Sequence, residues 1–148
     1  MNQLLAVLAA AFLAVAPLAA WAQAPASPAT TAVPKYRAIF HVSGADPRGW
    51  NQALNNSLAL TKNAGKANVE IRIVAIGMGI NMLKENSQAA KLVAAAVSNG
   101  VKVLACGETM KALSLEKEDM LPNISYVPGG IIEILDRQGE GWRYIRVD

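Results

Sequence analysis

Val101 to Leu115 reads VKVLACGETMKALSL, a strand pattern running directly into a helix pattern. Val101, Val103 and Ala105 alternate with Lys102 and Leu104, a short apolar run of the kind that forms a buried strand. Cys106 and Gly107 end the run. Glu108 to Leu113 then supplies good helix formers, with a carboxylate in the first turn where the helix dipole favours it. The sequence's single cysteine therefore stands where a strand passes into a helix. Backbone N–H groups point outward at such a junction and stabilise a thiolate. Two readings stay open on position alone: a reactive thiol, or a small buried hydrophobe, which is what most free cysteines are.

The same alternation extends in both directions. Tyr36 to Val42 (YRAIFHV) is strand-like, and the turn cluster Ser43 to Pro47 follows it. Trp50, Leu54, Ser57/Leu58 and Thr61 recur at helical spacing from about Arg48 to Asn63, with a stop at Gly65. Val69 to Ile76 (VEIRIVAI) predicts a second strand, and Gly77-Met78-Gly79-Ile80 a loop. Ser87 is placed to cap a helix over Gln88 to Ser98, which ends at Asn99-Gly100. Downstream, Glu116 to Leu121 predicts a short polar helical turn and Ile124 to Val127 a fourth strand. Pro128-Gly129-Gly130 is a turn, Ile131 to Gln138 a helix, and Arg143 to Val147 a fifth strand at a sheet edge, where Trp142 and Tyr144 give apolar surface that favours self-association. Strict alternation of strand and helix implies an α/β fold. The expected form is three-layer α/β/α around a mostly parallel five-stranded sheet, flavodoxin-like in kind.

Upstream, Leu4 to Ala20 is an apolar run interrupted by Pro17 and followed closely by Ala20-Trp21-Ala22, a small-x-small pattern for signal peptidase. We expect a signal peptide over residues 1–22, a mature start at Gln23, and a periplasmic protein with no membrane attachment after cleavage. Met1 to Gln3 carries no Lys or Arg, which keeps an uncleaved anchor as the competing reading. The run is short for a span, however, and Pro17 suits a cleaved signal better. Gln23 to Pro34 (QAPASPATTAVP) has nothing with which to bury a core and reads as an Ala/Pro/Ser/Thr-rich tether. One domain, 35–148, remains. The formal charge of +3 lies wholly within it, since residues 1–34 carry no charged side chain. So small an excess, without a basic run, argues against nucleic acid as a partner. In an oxidising compartment cysteines usually pair; a lone one is either inert or kept for chemistry.

In parallel sheets chemistry gathers beyond the carboxyl ends of the strands, near the point where strand order reverses. That rule selects His41 to Gly44, Gly77 to Asn81 and Cys106 to Thr109. In a two-one-three strand order, His41 and Cys106 would occupy neighbouring strand ends, where an imidazole stabilises a thiolate and shuttles its proton. A packed, hydrogen-bonded histidine is the alternative. Gly107, Glu108 and Thr109 would support the thiolate, with Gly77, Met78, Gly79 and Asn81 lining the same mouth. Lacking a third glycine, Gly77-Met78-Gly79 suits a tight turn better than an anion cradle. Met78, Met82 and Met110 either border that mouth or fill core. Asn55 and Asn56 either cap a neighbouring loop or face solvent. One His and one Cys are too few ligands for a metal, and neither metal nor cofactor is expected. A Gly-rich phosphate fingerprint, paired carboxylates with a base and a Ser elbow are all missing, which speaks against a hydrolase or nucleotide-binding domain.

Three blocks in order carry a family likeness: FHVSGADPRGWNQALNNSLAL, VEIRIVAIGMGINMLKENS, and GVKVLACGETMKALSLEKEDMLPNISYVPGGIIEI. Together they resemble the DsrE/DsrF-like family, in particular its exported single-domain members, and ACGETMKALSL with the following DMLP is the most specific part. The resemblance implies a YchN-like three-layer fold, usually assembled as a homotrimer or homohexamer. It also implies a role for one thiol: in sulfur-relay members a cysteine at the end of this strand accepts sulfane sulfur as a persulfide and passes it on. Cys106 is the residue that matches it. The function expected is a periplasmic persulfide carrier, at most sulfurtransferase-like, exchanging with a sulfur donor or acceptor protein or a small thiol. The alternative is a non-catalytic oligomeric module that binds a small ligand or partner, with Cys106 lining its pocket.

Overall fold

A computed structural model describes residues 33–147. The expected signal peptide and most of the tether lie outside the described residues. The strands are β1 (Tyr36–Val42), β2 (Val69–Ala75), β3 (Lys102–Cys106), β4 (Ser125–Val127) and β5 (Arg143–Val147). All pairings are parallel, and the order across the sheet is β4-β3-β2-β1-β5. The helices are α1 (Pro47–Ala64), α2 (Ala90–Ser98), α3 (Gly107–Ala112) and α4 (Gly130–Gly139).

Local chemistry sets these elements. At α1, Asp46 accepts the Arg48 N–H at 2.9 Å and Pro47 pre-sets the first turn. The buried stripe of that helix is Trp50, Ala53, Leu54, Ser57 and Thr61, and Gly65 ends it at φ +84°. Helix α2 begins later than the Ser87 signal suggests: the Ser87 hydroxyl accepts the Ala89 N–H at 3.1 Å and closes a turn that precedes Ala90. The expected loop Gly77 to Ile80 belongs to a longer element, Gly77–Leu83, which winds into consecutive 3₁₀ turns that bury Ile80, Met82 and Leu83.

Chain direction decides which face each helix covers. From β1 to β4 the chain steps one way across the sheet, and right-handed crossovers put the connecting helices on one side. There α1 and α2 pack with Met110 of α3 over Phe40, Val42, Ile71, Ile73, Val103 and Ala105, the larger core. From β4 the chain returns across the whole sheet to β5, so α4 covers the opposite face. Its Ile134 meets Ile39, Val74, Leu104 and Trp142 in a smaller core. The expected three-layer architecture results.

Two expectations are corrected here. The order is not two-one-three: β2 lies between β1 and β3, so His41 and Cys106 are two strands apart. Trp142, read as apolar surface of the edge strand, is 5% exposed. The guanidiniums of Arg37, Arg72 and Arg137 lie over its ring at 5.3–6.0 Å. Glu133 pairs with Arg72 and Arg137, and Glu140 with Arg137, which offsets part of the positive charge beside the ring. Among the described residues no helix is long and apolar enough to cross a membrane.

Candidate functional site

Adjacent strands β3 and β4 send their outgoing chains to opposite faces, β3 into α3 and β4 into α4. A crevice opens where neighbouring connections diverge in this way. Cys106, the last residue of β3 and the N-cap of α3, lies in it. Its side chain points to the α4 side, where the Gly130 N–H donates to Sγ at 3.2 Å. That approach depends on a missing Cβ. One built on Gly130 would stand 2.7 Å from Ile76 Cγ1 and 2.8 Å from its Cδ1, so a side chain there would push the start of α4 off the sheet.

Thr109, in the first turn of α3, is buried, and its Oγ1 accepts the Gly77 N–H at 3.1 Å. With that lone pair engaged, the hydroxyl proton is free to serve the sulfur. Burial pushes the Cys106 thiol up. Against it act the Thr109 hydroxyl and N–H, the Gly130 N–H and, least, the Glu108 N–H, and together they hold the thiol below its ordinary value. The smallness of the Glu108 contribution has a cause: that N–H also donates to Pro128 O at 3.1 Å.

Cys106 is 3% exposed and forms part of the wall of an open cavity of about 460 Å³. Around it stand Ile76, Met78, Ala112, Leu113, Ile131 and Ile132, with Glu108, Thr109, Gly77, Gly129 and Gly130. Of the residues the sequence nominated, Glu108, Thr109, Gly77 and Met78 thus share the cavity with Cys106. Gly79, Gly107 and Asn81 do not line it. Gly107 abuts the end of β4, where a Cβ would meet Val127 O and Pro128 O at 3.1 Å. Gly79 lies against the end of β1, its N–H donating to Ser43 O and Ile76 O at 3.1 Å. With those donors and the Gly77 N–H engaged by protein acceptors, the loop is a tight turn and no anion cradle. Met82 and Met110 fill core, and Asn55 and Asn56 are exposed.

His41 has the other fate foreseen for it. It aligns with Val74, which aligns with Leu104, two residues short of Cys106. Two strand spacings make roughly 10 Å, beyond hydrogen-bond reach. The buried imidazole is instead 2.8 Å through Nδ1 from the Tyr144 hydroxyl of β5. Gly130 is the residue that sequence reasoning missed: Pro128-Gly129-Gly130 was legible as a turn, but nothing local shows that the helix after it aims its first N–H groups at a distant strand end. Among the described residues no cluster of three or more His, Cys, Asp or Glu could hold a metal ion.

Comparison with known proteins agrees with the fold. The model of the DsrE/DsrF-like family matches residues 37–147. The chain belongs to the DsrE/DsrF-like family. A solved structure of a protein of unknown function from Methanobacterium thermoautotrophicum, MTH1491, is similar to it at 32% identity and a TM-score of 0.71, over 75% of this chain and 98% of that one. A conserved protein of unknown function from Bacteroides thetaiotaomicron, BT1422, shares the fold at 14% identity and a TM-score of 0.62, over 74% of this chain and 93% of that one. No curated protein matches significantly.

Proposed function

We propose that the protein is an exported thiol carrier whose Cys106 holds sulfane sulfur as a persulfide. The observation that carries this reading is the Gly130 N–H on the Cys106 sulfur at the wall of an open cavity. In loading, the thiolate attacks the outer sulfur of a donor persulfide, R–S–SH. A bond forms between Sγ and that sulfur, the donor S–S bond breaks, and its electron pair leaves on R–S⁻, which takes up a proton. In discharge, an acceptor thiolate attacks the outer sulfur and Cys106 departs as thiolate. The donors that lower the thiol pKa cost some nucleophilicity in the first step and improve the leaving group in the second. Such a balance suits a carrier.

Family membership supports a relay role, and the apolar run ahead of Ala20-Trp21-Ala22 supports a periplasmic site of action after cleavage. The partners are then a second copy of the chain and a donor or acceptor that is a protein or a small thiol. The apolar lining of the cavity also favours a second reading, a non-catalytic oligomeric binding module with Cys106 merely in its wall. The experiment that separates them is intact-mass analysis of the protein isolated from the periplasm, then again after mixing with an organic persulfide. A carrier gains the mass of one sulfur, loses it to added thiol, and gains nothing as Cys106→Ser. A folded wild type that never takes up sulfur, with a thiol reactive only after denaturation, leaves the binding module.

A further inference from the structure

The composition of the cavity wall says which donors fit. We propose that the site selects persulfides whose organic group is uncharged and apolar, taken in the protonated form R–S–SH, and turns away anionic sulfur compounds; this rests on the carrier reading above. At about 460 Å³ the cavity lies within the size range of small-molecule sites, roughly 300–1,000 Å³. Its wall is Ile76, Met78, Ala112, Leu113, Ile131 and Ile132, and among the described residues the one charged side chain in the lining is Glu108. No Lys or Arg joins it. Three N–H groups beside the cavity are already committed: Gly130 donates to the Cys106 sulfur, Gly77 to Thr109 and Glu108 to Pro128.

An anionic donor would therefore bring its charge beside a thiolate and a carboxylate, lose water against apolar walls, and meet no cation. An alkyl or aryl group loses nothing there and buries its surface against the same walls. The discrimination comes as much from what would repel the wrong donor as from what holds the right one.

Iodoacetamide and iodoacetate test this directly, since they alkylate a thiolate alike and differ in charge. Each rate with the folded protein, divided by the same reagent's rate with free cysteine, should favour iodoacetamide at least about fivefold, a discrimination of about 1 kcal/mol. Ala112→Lys, a change at an exposed rim position away from α4, should remove or invert the preference, and Glu108→Gln should narrow it. Loading with an aryl persulfide in its protonated form should outpace loading with thiosulfate, each rate divided by the same donor's rate with free cysteine. Equal normalised rates, or a faster anion, overturn the selectivity and leave the carrier reading standing. A thiol that reacts with neither reagent until the protein is denatured overturns both.

Discussion

The Gly130 N–H reaches the Cys106 sulfur at 3.2 Å across a sequence separation of 24 residues. One helix start thus holds a thiol that terminates a different strand, and Ile76 limits how closely they approach. Gly130→Ala should destabilise the fold by about 1–3 kcal/mol through overpacking and slow alkylation of Cys106 by moving its donor. Adding Ile76→Ala removes the clashing branch and should restore much of the alkylation rate, though not all the stability. Thermal unfolding and iodoacetamide kinetics on the three proteins check this. A double variant as slow as Gly130→Ala alone would show the steric account to be wrong.

Thr109 supplies the leading contribution against burial at the thiol. Thr109→Val should move the midpoint of the alkylation–pH profile upward. The Thr109 hydroxyl is first among the groups that favour the ionised sulfur, so its loss leaves burial less opposed. Thr109→Ser should stay near wild type. A thiol lowered by folding contributes stability that is present above the unfolded thiol's pKa and lost as pH falls through the folded one. The thiolate contribution separating wild type from Thr109→Val should therefore be largest at alkaline pH and fade on acidification, as denaturant titrations across that range would reveal.

His41→Ala should leave the alkylation rate of Cys106 unchanged to within about twofold, a difference of some 0.4 kcal/mol. The imidazole lies two strands away, beside Tyr144, and cannot take the thiol's proton. Its loss should appear as lower stability instead, because it empties a buried site and releases Tyr144. A large drop in alkylation with stability intact would restore the imidazole–thiol pairing that a two-one-three strand order would have produced.

Local pattern carried the elements well and their neighbours less well. The VKVLAC alternation, the Asp46-Pro47 helix start and the Arg143 to Val147 strand are written in short-range chemistry, and each appears where its residues put it. Strand order is not local. Placing β2 between β1 and β3 depends on how α1 and α2 share one face, which no single segment encodes, and that order alone separates His41 from Cys106. Trp142 is the second lesson. Its burial needs Arg37, Arg72 and Arg137 from elsewhere in the chain together with Glu133. Periodicity near residue 142 cannot show such a cage.

Self-association is best argued from α4. Ile131, Ile132 and Leu135 are 54%, 61% and 57% exposed, and their spacing puts them on neighbouring positions of one helix surface. Met78 and Leu113, also exposed, continue the apolar rim at the cavity. Soluble chains seldom leave so many large aliphatic side chains together in water without a partner. Burial of Trp142 removes the edge-strand tryptophan from that account and leaves α4 to carry it. The wild type should therefore scatter light as an oligomer at micromolar concentration. Ile131→Lys with Leu135→Lys should lower the mass toward the monomer with the circular dichroism unchanged, since neither side chain belongs to the core around Ile134. A wild type that is already monomeric would remove α4 as a contact surface. An oligomer that survives the double lysine variant would place the interface elsewhere.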